Sequence, residues 1–253
     1  MVRLRHNRAY GWLPDVPDQR DHVYAASPAA LPTSVDLRPH CPSTVYDQGN
    51  LGSCTANAIA GAIEFDDLKQ GRTPAVTPSR LFIYYNERAL EGTVRTDSGA
   101  LIRDGIKSVA RLGAPGEADW RYDVQRFADR PPAAVYAEAR GDRVTSYQRL
   151  ARNLTQMKGC LAEGFPFVFG FTVYESFEGV DVAHTGNVPL PSHSEQALGG
   201  HAVMAVGFDD ATGRFLARNS WGPDWGLAGY FTMPYGYLTD ANLSDDFWTI
   251  RAV

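Results

Sequence analysis

Near its midpoint this chain changes the period of its hydrophobic pattern, and that change narrows the folds open to it. In the first half apolar residues recur at helical spacing. Ala56, Ile59, Ala60 and Ile63 follow Ser53, a residue type that caps helix N-termini, with Gly71 as a stop and Pro74 beyond it. "SRLFIYYNERAL" and "ALIRDGIKSVARLG" read as two further helices, the second ending at Gly113. The second half holds short aromatic and β-branched runs divided by turn residues: "FPFVFGFTV", "GGHAVMAVGFD", "RFLARNSW", "GYFTM" and "DFWTIRAV". One helix is expected from Ser146 to Glu163, and a loop rich in Gly, Pro and Ser from Glu175 to Gly200. Helices followed by strands predict an α+β fold, with a mainly helical lobe over residues 31–145 and a mainly β lobe over 146–253. Ligand sites favour the cleft between such lobes.

Residues 1–30 differ from the rest. They carry Pro14, Pro17 and Pro28, several arginines and little periodicity, so they are expected to form an extended leader rather than a packed element. The first residues lack the apolar core of a secretory signal, which leaves a cytoplasmic location and export after signal removal both open. With 253 residues the chain is long enough for one large core or two modest lobes. Its net charge of −5 is spread over mixed signs, which argues against nucleic acid or an anionic membrane as a partner. No apolar run reaches the roughly 18 residues of a membrane span.

Three cysteines, Cys41, Cys54 and Cys160, are too few and too scattered for a disulfide framework or a zinc site. A Cys41–Cys160 bridge is one open pairing and would leave Cys54 as the free thiol. If Ser53 caps the helix, Cys54 sits in its first turn, where unpaired N–H groups and the helix dipole favour a thiolate. Gly49 and Gly52 leave the backbone before it uncrowded. The competing reading is an inert buried thiol.

A reactive thiol needs a proton carrier. Of six histidines, His6 and His22 lie in the leader, His40 in a proline-flanked segment, and His184 and His193 in the long loop. Only His201 opens a strongly apolar strand, where a hydrogen-bonded core role is the alternative. If "DDATG" closes a hairpin with Phe208 opposite Arg214, Val203 faces Asn219 and His201 faces Trp221. Asn219 then lies diagonal to His201 on one sheet face, and its amide can fix the imidazole tautomer. A one-residue slip would undo this alignment. Trp221, beside the pair, could keep water off that bond or serve as ordinary core. Gln48 precedes Cys54 across a glycine-containing turn and could join the Cys54 backbone N–H in holding an oxyanion.

Together these residues resemble the papain-like cysteine peptidases, in wording closest to the bacterial branch. The resemblance rests on "QGNLGSC", "GGHAVMAVGFDD", "NSWGPDWGLAGYFTMPY" and the opening "LPTSVDLRP", and it runs from about Leu31 to the C-terminus. It implies a two-lobed fold whose second lobe is an antiparallel, barrel-like sheet. It also implies Cys54 as nucleophile, His201 as acid–base, Asn219 as orienter and Gln48 in the oxyanion hole, with no metal or organic cofactor. An extended peptide or protein would lie in the cleft. Gly99, preceded by Ser98 where the family has a second glycine, would hydrogen-bond the substrate backbone. Ala202 would border the main specificity pocket, and Gly52 and Ser53 would adjoin the substrate beside the nucleophile. Two positions depart from the pattern: Leu51 replaces a family cysteine, removing a nearby disulfide, and Thr55 replaces the usual aromatic.

The expected activity is peptide hydrolysis through a thioester. The same site could pass its acyl group to an amine, or the fold could serve only to bind peptides. "GWLPDVPDQRD" is expected to lie over the cleft and block it in cis, the alternative being a disordered tail.

Overall fold

A computed structural model of the chain describes residues 9–27, 30–72, 76–141 and 144–252. His6, Pro28 and Pro74 lie outside the described residues. Leader residues Trp12–Leu13 (β1) pair in parallel with Ala100–Leu101 (β3), and Ser34–Asp36 forms β2. The helices of the first half are α1 (Cys54–Lys69), α2 (Arg80–Glu91), α3 (Ile102–Leu112) and α4 (Ala133–Ala139). Helix α1 is buried on every side from Cys54 to Asp67, as its run of small and apolar residues allows at the centre of a molecule. Ser79 caps α2 by accepting from the Phe82 N–H. Gly113 closes α3 at φ 81°, in the left-handed region that favours glycine.

The second half contains β4 (Val144–Arg149), α5 (Leu154–Ala162), β5 (Phe167–Tyr174), α6 (Val180–Thr185), β6 (Ala197–Asp209), β7 (Arg214–Arg218), β8 (Tyr230–Pro234), α7 (Tyr235–Thr239) and β9 (Ser244–Ala252). The fold is α+β. Its main sheet is antiparallel with strand order β4-β9-β5-β6-β7-β8, and β2 pairs with β6 off that path. The sheet stays open rather than closing into a barrel. Phe167, Phe169, Phe171, Phe215 and Phe247 pack together as its aromatic core.

Three local expectations need correcting. The helix expected from Ser146 begins only at Leu154, because Asn153 caps it, accepting from the Thr155 and Gln156 N–H groups. Residues 144–149 instead pair with β9. The loop expected to run from Glu175 is shorter. A 3-10 turn (Glu175–Glu178) and α6 occupy its start, and β6 already begins at Ala197. The hairpin closes on Asp209 opposite Arg214, not Phe208. Asp209 remains in the ladder while its carboxylate accepts the Ala211 N–H at 2.9 Å, which leaves a four-residue turn. A bulge at Val206 then restores the expected register, so that Ala205 faces Ala217 and Met204 faces Arg218. The Val206 carbonyl accepts instead from Leu37 N at 2.8 Å, just past β2. The relation between His201 and Asn219 thus depends on two offsets that cancel.

All three cysteines are free and buried, so no Cys41–Cys160 bridge forms. Leu51 fills a core position, 4% exposed. No helix among the described residues is long and apolar enough to cross a membrane.

Candidate active site

The N-terminal turn of α1 meets β6 at the centre of the molecule. Cys54 and His201 are each fully buried, and the backbone N–H groups of Ala202 and Gly11 face the Cys54 thiol and favour its ionised form. His201 Nε2 lies 2.9 Å from Asn219 Oδ1, which also accepts the Ser220 N–H at 2.8 Å. That second bond fixes the amide's orientation. Trp221 stacks on the imidazole with centroids 5.0 Å apart, and Trp225 and Phe177 stand edge-on to Trp221. These rings wall the His201–Asn219 bond with apolar surface.

Gln48 is held from both sides. Its N–H donates to the Ser220 carbonyl at 2.9 Å, and its Oε1 accepts the Ser220 hydroxyl at 2.6 Å. The Nε2 group donates to the Leu51 carbonyl at 2.9 Å and to the leader's Ala9 carbonyl at 3.3 Å. A carbonyl oxygen therefore already rests on the donor expected to hold an oxyanion.

Residues read from sequence as substrate contacts fall into two groups. Gly52, Gly99 and Ala202 adjoin the leader or the thiol. A Cβ on Gly99 would lie 2.2 Å from the Gly11 carbonyl oxygen, and φ is 73° there, so glycine is required twice over. The neighbouring Ala100 N–H donates to that carbonyl at 2.7 Å. Ser53 and Ser98 turn elsewhere. Ser53 stands at the N-cap position without capping; its hydroxyl lies 2.5 Å from the Tyr122 hydroxyl and accepts from Asn57 Nδ2 at 3.1 Å. The Ser98 hydroxyl donates to the Gly99 carbonyl at 3.1 Å. Thr55, in the place of an aromatic, donates at 2.6 Å to Glu87, a fully buried carboxyl that desolvation raises well above the usual range.

The leader is extended, as expected, but also packed. Trp12, Asp15 and Tyr24 are buried, and Tyr24 N and Arg149 N bond to carbonyls across the junction with β4. The Trp12 indole fills a recess left by two glycines: a Cβ on Gly170 would lie 2.0 Å from the ring, and one on Gly200 would lie 2.3 Å from the Trp12 carbonyl oxygen. Tyr10 stands edge-on to His201 at 6.1 Å. Burial under this cover pushes the Cys54 thiol up to about 12, although the helix N-terminus was expected to lower it. Desolvation outweighs the nearby N–H groups.

Sequence reasoning missed Asp97, Tyr84 and Asp246. Asp97 accepts the Gly52 N–H at 3.0 Å and the Tyr84 hydroxyl, bracing the turn before Cys54. Asp246 Oδ2 receives Trp12 Nε1 at 3.0 Å and Asp15 N at 2.7 Å. A carboxylate in a strand has no local signature, so the partner segment alone reveals it.

Burial, with the Asp15 carboxylate beside it, pushes Asp246 up to about 7, and Asp15 is itself raised by burial. Arg149 faces Asp246 Oδ1 at 3.3 Å; Arg103 donates its N–H to Asp15 and pairs with Asp21; Asp245 pairs with Arg152 at 2.8 Å. A carboxyl raised in the covered state takes up a proton as the leader docks. Docking is therefore strongest below the ordinary carboxylate pKa. It weakens by up to about tenfold per pH unit as pH rises from about 4 towards 7, and levels off above that. Amide exchange of Gly11, Trp12, Leu13 and Asp15, taken relative to the intrinsic rate at each pH, should accelerate over this window. Asp246→Asn should reduce the slope to the share that Asp15 carries, since asparagine does not titrate and tolerates the φ of 58° at this position. An unchanged profile in that variant would refute the assignment.

The papain family cysteine protease model matches residues 31–247. An uncharacterized peptidase C1-like protein of Acanthamoeba polyphaga mimivirus is 41% identical, over 98% of this chain and 88% of the viral one. Among solved structures, xylellain, a cysteine protease from Xylella fastidiosa, superposes with a TM-score of 0.92 at 45% identity, covering 100% of this chain and 99% of its own. A procathepsin B of Trypanosoma congolense, 18% identical, shares the fold with a TM-score of 0.76 over 98% of this chain and 87% of its own.

Proposed function

Because the chain belongs to the papain family of cysteine proteases, we propose that it is an endopeptidase working through a thioester at Cys54, with its own leader as a cis inhibitor. The leader's Ala9 carbonyl resting on Gln48 Nε2, two residues before the Gly11 N–H that faces the Cys54 thiol, carries this reading. It supports a cleft that runs an extended chain along the thiol with a carbonyl on the oxyanion donor.

With a peptide in place of the leader, His201 takes the thiol proton and the thiolate attacks the scissile carbonyl carbon. Gln48 Nε2 and the Cys54 N–H donate to the resulting oxyanion. The C–N bond breaks as His201 returns its proton to the departing amine, leaving the acyl group on sulfur. His201 then deprotonates water, which attacks the thioester, and the acid leaves as the thiol is reprotonated. Asn219 holds the imidazole throughout, with Trp221 and Trp225 keeping solvent from the bond.

Gln48→Ala should lower kcat by roughly 10²–10³-fold, the loss typical of one oxyanion donor. KM should change much less, because the donor acts mainly in the transition state. Steady-state hydrolysis of a fluorogenic peptide by a form with its leader displaced measures both. A loss confined to KM would remove Gln48 from the oxyanion site. Product masses with and without an added amine separate hydrolysis from acyl transfer.

A further inference from the structure

Away from the catalytic cleft, α2, α3 and α4 enclose an open cavity of about 710 Å³. Three arginines converge on it from three segments: Arg111 in the last turn of α3, Arg130 in the approach to α4, and Arg140 at the end of α4. All three are exposed, and none pairs with a carboxylate among the described residues. The acid adjoining Arg130 in sequence, Asp129, is bound to Arg126 at 3.1 Å. Arg80, Arg103, Arg149 and Arg152, by contrast, each hold an aspartate or glutamate. On a protein of net charge −5, three guanidinium groups facing one cavity form a local site of excess positive charge.

The wall beside them is flat and fixed. Tyr136 donates to Asn86 Oδ1 at 2.9 Å, Asn86 in turn donates to the Phe82 carbonyl, and the Tyr136 ring packs on Phe82 at 4.9 Å. Tyr85 and Leu112 add further apolar lining. Placement at helix C-termini gives Arg111 and Arg140 a favourable dipole contact, but it does not account for Arg130 or for the cavity.

We propose that this cavity binds a small organic phosphate, with the phosphoryl oxygens on Arg111, Arg130 and Arg140 and a flat organic group against Tyr136. Three guanidinium groups exceed what the two oxygens of a single carboxylate can engage, whereas a phosphate monoester offers three oxygens and about two charges. The volume lies within the range of small-molecule pockets and far exceeds that of inorganic phosphate alone.

Calorimetric titration of the full chain with phenyl phosphate, inorganic phosphate and phenol at about 0.15 M salt tests this. Phenyl phosphate should saturate with a Kd below about 1 mM and bind at least tenfold more tightly than either fragment. Replacing all three arginines by glutamine should weaken it by at least about tenfold while leaving the melting temperature and peptide hydrolysis unchanged. The single variants Arg111→Gln, Arg130→Gln and Arg140→Gln serve if the triple variant does not fold, each with a smaller loss. Lack of saturation, equal affinity for inorganic phosphate, or unchanged affinity in a folded variant would each overturn the proposal.

Discussion

Cys54→Ala is expected to lower peptide hydrolysis by at least about 10⁴-fold with the fold retained. The expectation follows from the division of labour at the site. In the proposed mechanism Gln48 holds the peptide carbonyl, the aromatic wall shields the His201–Asn219 bond, and the sulfur in the first turn of α1 alone forms the acyl bond. His201→Ala should cost about as much, and the double variant little more, because thiol and imidazole act as one unit. The other two thiols provide the control. Cys41, which burial pushes up to about 11, and Cys160, also raised by burial, lie elsewhere in the core. Cys41→Ala and Cys160→Ala should keep most of the turnover, apart from any loss of stability. The variants should be compared by fluorogenic peptide cleavage in a leader-displaced form, with circular dichroism melts alongside. Retention of more than about one per cent of turnover by Cys54→Ala would reject the nucleophile assignment.

The second large effect concerns the leader. Gly11→Ala should raise the rate of Cys54 alkylation by iodoacetamide at least about 100-fold, equivalent to losing about 2.7 kcal/mol of docking energy. A Cβ at Gly11 would lie 1.7 Å from the Gly52 carbonyl oxygen, and both partners are backbone, so no side chain can yield. The leader must lift locally, taking Ala9 from Gln48 and exposing a thiol that is 0% exposed when covered. Trp12 and Asp15 resist that movement, because indole burial and two hydrogen bonds to Asp246 tie down the next turn of chain. Trp12→Ala combined with Gly11→Ala should therefore open the site further than either change alone. Alkylation at the wild-type rate in Gly11→Ala would mean that the segment does not limit access to the thiol.

The same two regions show how much of the molecule was legible beforehand. Helices α1, α2 and α3 could be read because their apolar spacing and their Ser and Gly punctuation are local properties. Residues 146–149 misled because a short polar strand beside a helix has no period long enough to separate the two. The placement of Asn219 beside His201 was inferred from a simple hairpin, yet the real hairpin is offset at its turn and corrected by the bulge at Val206. The corrected register is consistent with the inference, but a sequence does not announce a bulge that a neighbouring strand, β2, helps to hold.

By itself the sequence determined the α+β class, the residue types gathered around Cys54 and the membership carried by the segments around His201 and Asn219, since short-range pattern and side-chain chemistry suffice for these. Tertiary structure alone decided the state of the thiol and the place of the leader. Desolvation and backbone contact depend on what covers a group, and Gly11, Trp12 and Asp15 meet Gly52, Gly170 and Asp246 only after the chain has folded back across its full length.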